Sequence, residues 1–330
     1  MKASIFYLNF KFSRNAATLF CASLGIFLFS LFFAPFYYEG DQIAYTNAYN
    51  SVFDQNLVDG LLVYASYVGS AEPIHYLIVW VASNLGFEKN SVMALANSIL
   101  AYLIMRVFLQ WQVSVYVSLA VIFTNFYVLT LYFTAERLKF GFIFLMLSLL
   151  YSRQRKLSFA FAITSVLAHS QQILIYASTL FSSVMISVSS SLKTGTLHFK
   201  QILLLVTIIF VALVVFYFMV EHILSKFEYY NSTARENSLF SLWKTFIFSL
   251  LALQYSKDRL KIISIFSILL LASALIGPER VNMIAYCFFM FYALQYKRGV
   301  NAGVVFTLLY FGLKSIYFIL DILETGQGFS

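Results

Sequence analysis

Long apolar runs separated by short polar intervals fill this chain, and their lengths set the first expectation. A helix needs about 20 apolar residues to cross the hydrocarbon of a bilayer, occasionally as few as about 17. Apolar runs, some of them short, fall at 16–36, 91–109, 113–134, 136–152, 157–169, 171–191, 201–222, 240–255, 262–277, 279–296 and 301–320. The pattern predicts an all-α, polytopic integral membrane protein of eleven crossings, a single transmembrane domain over residues 1–330. The runs at 157–169 and 171–191 read as a tight hairpin turning at His169 to Gln172.

The polar intervals give these runs a direction. Lys and Arg accumulate in cytoplasmic loops, and basic clusters occur at residues 2–14, 153–156, 193–200, 257–261 and 297–298. Placing all five inside, with Arg106, predicts a cytoplasmic N-terminus, an outer C-terminus and two outer loops, 37–90 and 223–239. The first run is too long for a signal-peptide core and lacks a small-x-small cleavage site, so it is expected to stay as a helix. Residues 57–86 must then leave and return on the outer side, as a re-entrant hairpin or a surface-lying helix. Re-entrant backbone is tolerated where protein or a watery cavity covers it.

Composition narrows the class. The chain is 61% hydrophobic and 11% charged, against about 25% charged in ordinary globular domains, which excludes a water-soluble enzyme. A net charge of +8 would suit nucleic acid, but the cations sit in interhelical loops as topology requires, so the bilayer is the expected partner. Cys21 and Cys287 lie inside apolar runs, and no Walker loop, Rossmann fingerprint or HExxH occurs. No cofactor or metal site is therefore expected.

The polar exceptions carry the chemistry. Between Tyr37 and Tyr76 the chain has Glu39, Asp41, Asp54, Asp59 and Glu72 and no Lys or Arg. Asp41, Tyr45 and Tyr49 follow at i, i+4 and i+8, one helix face. They read either as a helix cap with its neighbours or as a carboxylate over an aromatic shelf for a sugar ring. Glu72-Pro73 reads as a helix start, and His75, three residues on, faces the same way. That pair has the makings of a base and its orienter. Glu136-Arg137-Leu138-Lys139 puts two cations on the outer side, against the usual bias, so an anion is expected there. Arg suits phosphate because its planar fork binds two oxygens. His169-Ser170-Gln171-Gln172 reads either as a hairpin turn or as an embedded site. Gly277-Pro278-Glu279-Arg280 repeats the Glu72-Pro73 form, and Arg280 at a helix N-terminus again suggests an anion. Arg235-Glu236 reads as a solvated pair. Charges inside a bilayer cost about 2.5–3.5 kcal/mol each even on the gentler scale. Their expected common depth predicts a polar cavity opening outward.

In order and spacing these motifs resemble the EpsG-like, Wzy-type bacterial polysaccharide polymerases. The likeness runs through Gly40-Asp41 with Tyr45 and Tyr49, Glu72-Pro73, Arg137 to Tyr151 and Lys156, and His169-Ser170, with Glu279-Arg280 beyond. It covers about residues 35–180, and departs at Leu138, where Gln is expected, and at Gln171, where a small residue is. The resemblance implies a bacterial inner-membrane enzyme with its site facing the periplasm. Such an enzyme moves a growing glycan from undecaprenyl pyrophosphate onto a new lipid-linked oligosaccharide repeat unit, with room for a chain-length regulator as partner. It implies Asp41, Glu72 and His169 as catalytic groups. Substrate-binding groups would be Arg137, Lys139, Arg280, Tyr45, Tyr49, His75 and Glu279. A flippase of the lipid-linked unit, or a ligase using the same donor, are the alternatives; no internal repeat of transporter type is visible.

Overall fold

The computed structural model describes residues 14–195 and 238–328. Among them the regular elements are helices alone: α1 (Arg14–Phe33), α2 (Asp41–Ser51), α3 (Leu57–Val68), α4 (Pro73–Asn84), α5 (Lys89–Gln110), α6 (Val115–Thr124), α7 (Phe126–Phe133), α8 (Glu136–Leu150), α9 (Arg155–Ala168), α10 (Ile173–Thr194), α11 (Ser238–Tyr255), α12 (Arg259–Ile276), α13 (Pro278–Gln295) and α14 (Ala302–Thr325), with short 3-10 turns between some of them. The run at 201–222, the loop to residue 237 and Arg235-Glu236 lie outside the described residues.

Local chemistry places the helix ends. Asn56 opens α3 by accepting from the N–H groups of Val58 and Asp59, the usual way of satisfying orphan donors. Gly69 closes it at φ 72°, a left-handed conformation that glycine adopts without a Cβ clash. Glu72 precedes α4 with Pro73 in its first turn, as the sequence predicts. Asn125 divides α6 from α7: its extended backbone breaks the helix while its side chain caps Tyr127 and Val128. The two pieces meet at 51°, and Ser315 Oγ donates to the Thr124 carbonyl at 2.8 Å. Broken helices inside apolar surroundings persist when freed backbone groups find such partners.

Four described helices are long and apolar enough to cross a membrane, or five if the bent α6–α7 pair is one crossing. The eleven crossings expected from the apolar runs are not established. Helix length is part of the reason, and the run at 201–222 lies outside the described residues. Helices α8 and α9 have 15 and 14 residues, a rise of about 21–23 Å against a core of about 30 Å. Residues 57–86 form α3 and α4, 12 residues each, shorter still.

The chain divides into two compact units. One comprises the described parts of Met1–Gln110, Ser118–Ala168 and Phe311–Ser330. Within it α5 packs on α1 and α8, α8 on α9, and α2, α3 and α4 on one another. Buried amides and hydroxyls join these helices: Asn97 Nδ2 donates to Ser30 Oγ at 3.0 Å and to the Tyr132 carbonyl at 3.1 Å. Such bonds hold apolar helices together where no hydrophobic drive operates between them. The N–H groups of Tyr38 and Glu39 both donate to the Gly326 carbonyl, which ties the end of α14 to the start of the first polar loop. In the second unit α10 packs on α12, and α11 on α12 and α13, with Thr245 Oγ1 donating to Asn282 Oδ1 at 2.8 Å.

The α3–α4 contact is tight at Gly60, where a Cβ would meet Tyr76 Oη at 2.6 Å and Trp80 Cδ1 at 3.2 Å. The Tyr76 hydroxyl donates to the Leu57 carbonyl at 2.6 Å, so it has little freedom to yield. Gly60→Ala is expected to destabilise the protein by about 1–3 kcal/mol, the usual cost of overpacking. An unchanged thermal unfolding midpoint in detergent would contradict that close approach.

Candidate functional site

The ends of α2, α4, α5 and α8 bring widely spaced polar residues together inside the first unit. Arg137 is the second residue of α8, where the positive helix terminus disfavours a cation. Its surroundings compensate. Nε donates to the Tyr45 hydroxyl at 3.1 Å, and Nη1 donates to Glu72 Oε2 at 3.3 Å and to Ser70 Oγ. Glu72 sits at the start of α4 and Ser70 just before it, so the turn after α3 delivers both. Burial pushes the Tyr45 pKa up against the opposing influence of Arg137, which keeps the phenol protonated.

One residue earlier, Glu136 makes a second charged contact. Its Oε1 accepts from Lys89 Nζ at 2.9 Å and from Gln42 Nε2 at 2.7 Å. Gln42 Oε1 accepts from the same Lys89 ammonium at 2.5 Å, and its Nε2 also donates to the Phe133 carbonyl. Gln42 thus bridges an ion pair that is almost wholly buried, the side chains being 10% and 4% exposed.

A third pair lies on α3 and α4. The Tyr64 hydroxyl meets His75 Nδ1 at 2.6 Å. Burial lowers the imidazole pKa despite the nearby carboxylates of Glu136 and Glu72, so the ring stays neutral. With Tyr64 donating, the ring proton sits on Nε2. That nitrogen, Glu136 Oε2 and Lys139 Nζ are buried without a hydrogen-bond partner. Buried polar atoms in that condition are uncommon. They mark the places where water or a bound oxygen compound gains most. Counted together, Lys89, Arg137 and Lys139 oppose Glu72 and Glu136, so the buried cluster carries one positive charge in excess.

The sequence candidates separate accordingly. Glu72, Arg137 and Tyr45 touch, and His75 and Lys139 belong to the same cluster through the electrostatic influence of Glu136 on both. Tyr49 is apart from Arg137, its hydroxyl donating to the Phe87 carbonyl at 2.8 Å. The expected aromatic shelf is not open, because Tyr45 and Tyr49 are 7% and 5% exposed; α2 turns that face toward its neighbours. Asp41 opens α2 on the exposed side, with Gly40 as the cap. His169 belongs to the second unit. It is buried, and its Nε2 lies 3.2 Å from Gln171 Oε1. Glu279 and Arg280 stand in the first turn of α13, as the Pro278 start predicts, and their side chains are outside the described atoms.

Gln42, Tyr64, Ser70 and Lys89 were not legible as site residues from the sequence. Lys89 had a usable signal, a lone cation opening an apolar helix after a long stretch without Lys or Arg. Tyr64 had none, since one tyrosine among 23 does not distinguish itself. Compared with known proteins, the chain matches no family model, no curated protein and no solved structure. The described residues form helices alone among regular elements, several of them long and apolar enough to cross a membrane, and the function has to be read from the residues themselves.

Proposed function

We propose that the protein is a polysaccharide polymerase of the bacterial inner membrane, acting on undecaprenyl-pyrophosphate-linked glycans at the outer leaflet. The observation that carries this reading is Arg137, held between Tyr45, Ser70 and Glu72, together with the buried Lys139, whose ammonium has no hydrogen-bond partner. An excess of fixed positive charge in a low-dielectric surrounding favours a diphosphate far more than it would in water. The fork of Arg137 suits two of its oxygens.

Diphosphate must compete with Glu72 for Arg137, and this links binding to chemistry. Once diphosphate oxygens occupy the guanidinium, the Glu72 carboxylate loses the Arg137 charge and becomes more basic. The acceptor sugar hydroxyl then attacks the anomeric carbon of the donor glycan. Its proton passes to Glu72, and the carbon–oxygen bond to the diphosphate breaks with both electrons leaving on undecaprenyl pyrophosphate. His75 Nε2, buried without a hydrogen-bond partner, supplies a neutral donor in the same cluster. The leaving group is already good, so positive charge contributes more than proton transfer. Glu72 is favoured over Asp41 as the base because it is buried and touches Arg137.

Purified protein in lipid nanodiscs, given lipid-linked repeat units, is expected to yield a ladder of glycans lengthening by one unit. Glu72→Gln should slow that ladder by about 10²–10⁴-fold, the usual contribution of a positioned base, while lipid-linked donor still binds. Wild-type rates in the Glu72→Gln protein would remove it as the base. A wild-type preparation that makes no ladder would remove the polymerase. The flippase alternative draws on the helix broken at Asn125, since broken helices line many transport sites. Movement of the labelled lipid-linked unit across proteoliposomes without any ladder would favour it.

A further inference from the structure

One flank of α2, with Tyr49 in the lining, borders a cavity of about 560 Å³ within the first unit, a volume typical of small-ligand sites. Its walls are Thr46, Asn47 and Asn50 of α2, Asn90 of α5, and the rings of Tyr38 and Phe87. Its floor includes Gln42 and Lys89. We infer that this cavity binds uncharged sugar residues of a glycan, at a subsite whose lining does not include Arg137.

Three features point to that ligand class. Hydrogen-bonding capacity is the first. The side chains of Thr46, Asn47, Asn50 and Asn90 make no hydrogen bond within the described residues, although each amide has two donors and an acceptor with two lone pairs. A ring of vicinal hydroxyls matches such groups, because every hydroxyl both gives and takes. Aromatic surface is the second. Tyr38 and Phe87 are 60% and 58% exposed, so each offers apolar area at the cavity edge for the C–H face of a pyranose.

Charge is the third, and it excludes the anionic part of the substrate. Lys89 is already engaged by Glu136 and Gln42 at 2.9 and 2.5 Å, and Glu88 at the rim accepts from Ser91 Oγ at 2.9 Å. No unpaired cation lines the cavity, so phosphate would enter it without compensation. Diphosphate belongs at Arg137 and neutral sugars in this cavity.

The arrangement deepens the polymerase reading and rests on it for the identity of the glycan. Tyr45 reaches Arg137 from α2, while Asn47 and Asn50 of the same helix line the cavity. The cavity therefore grips sugars other than the one whose bond to diphosphate breaks, positioning the substrate without touching the transition state. Gln42 belongs to both places, since it lines the cavity and holds Glu136 next to Arg137.

The test is binding rather than turnover, so that it stands apart from the polymerase assay. The full chain in nanodiscs is applied to an array of short neutral, N-acetylated and uronic-acid oligosaccharides. Retention of neutral or N-acetylated glycans is expected, with at least a tenfold weaker signal for the Asn47→Ala/Asn50→Ala double variant. Both asparagines are exposed, so the variant should unfold at the wild-type temperature. Tyr38→Ala is the second variant and is expected to weaken the same signals. Retention of no glycan, or of anionic glycans alone, would overturn the assignment, as would wild-type retention by the double variant. A protein that retains neutral glycans through Asn47 and Asn50 yet forms no ladder keeps this subsite and loses the polymerase.

Discussion

Arg137→Ala is expected to lower the rate of ladder formation by about 10²–10³-fold or more, the range seen when one preorganised donor to a developing anion is removed. The loss has two sources that can be separated. One is the missing guanidinium under the leaving diphosphate. The other is Glu72, which is 9% exposed in its side chain and would keep a buried negative charge without the Arg137 guanidinium. Arg137→Lys retains charge but forfeits the fork that reaches Tyr45, Ser70 and Glu72 together, so it should recover stability before it recovers rate. The double variant Arg137→Ala/Glu72→Ala removes both members of the pair and should unfold closer to wild type than Arg137→Ala while staying inactive. Full-rate ladders from Arg137→Ala would leave the diphosphate without its proposed holder.

The second large effect concerns folding. Glu136→Leu is expected to destabilise the first unit by about 3–5 kcal/mol, the cost of breaking one side of a buried ion pair. It strands Lys89 and Lys139 in one another's field and leaves Gln42 Nε2 with the Phe133 carbonyl alone. Lys89→Met should cost less than Glu136→Leu, because Lys139 still opposes Glu136. The combined Lys89→Met/Glu136→Leu variant should recover part of the loss, since two apolar side chains need no compensating charge. Unfolding in detergent, followed by helix signal against temperature, ranks the variants. Equal midpoints for wild type and Glu136→Leu would show that Glu136 is not buried as described here.

Much of the fold was legible because membrane helices announce themselves by apolar length. The helix starts at Pro73 and Pro278 followed from the restricted geometry of proline, and the helix of α8 from the run after Glu136. The candidate site was legible as a set of exceptions: Glu72, His75, Arg137 and Lys139 stood out because charge is rare in such surroundings. Their partners did not stand out. Lys89 and Glu136 are 47 residues apart, and Gln42 and Glu136 are 94 apart. Nothing local in either stretch specifies the other.

The order of apolar and polar segments by itself determined that this is a helical protein suited to a membrane, with a few costly charges kept at helix ends. Which of those charges meet was decided by packing alone: α2 and α4 close over the start of α8, so Arg137 finds Glu72 and Tyr45, while Asp41, one turn before Tyr45 at the exposed start of α2, stays in the open. The depth of the elements was also a tertiary outcome. An apolar run reports how much surface avoids water, but not whether lipid or neighbouring helices cover it, and short buried helices such as α8 satisfy the same composition as a crossing.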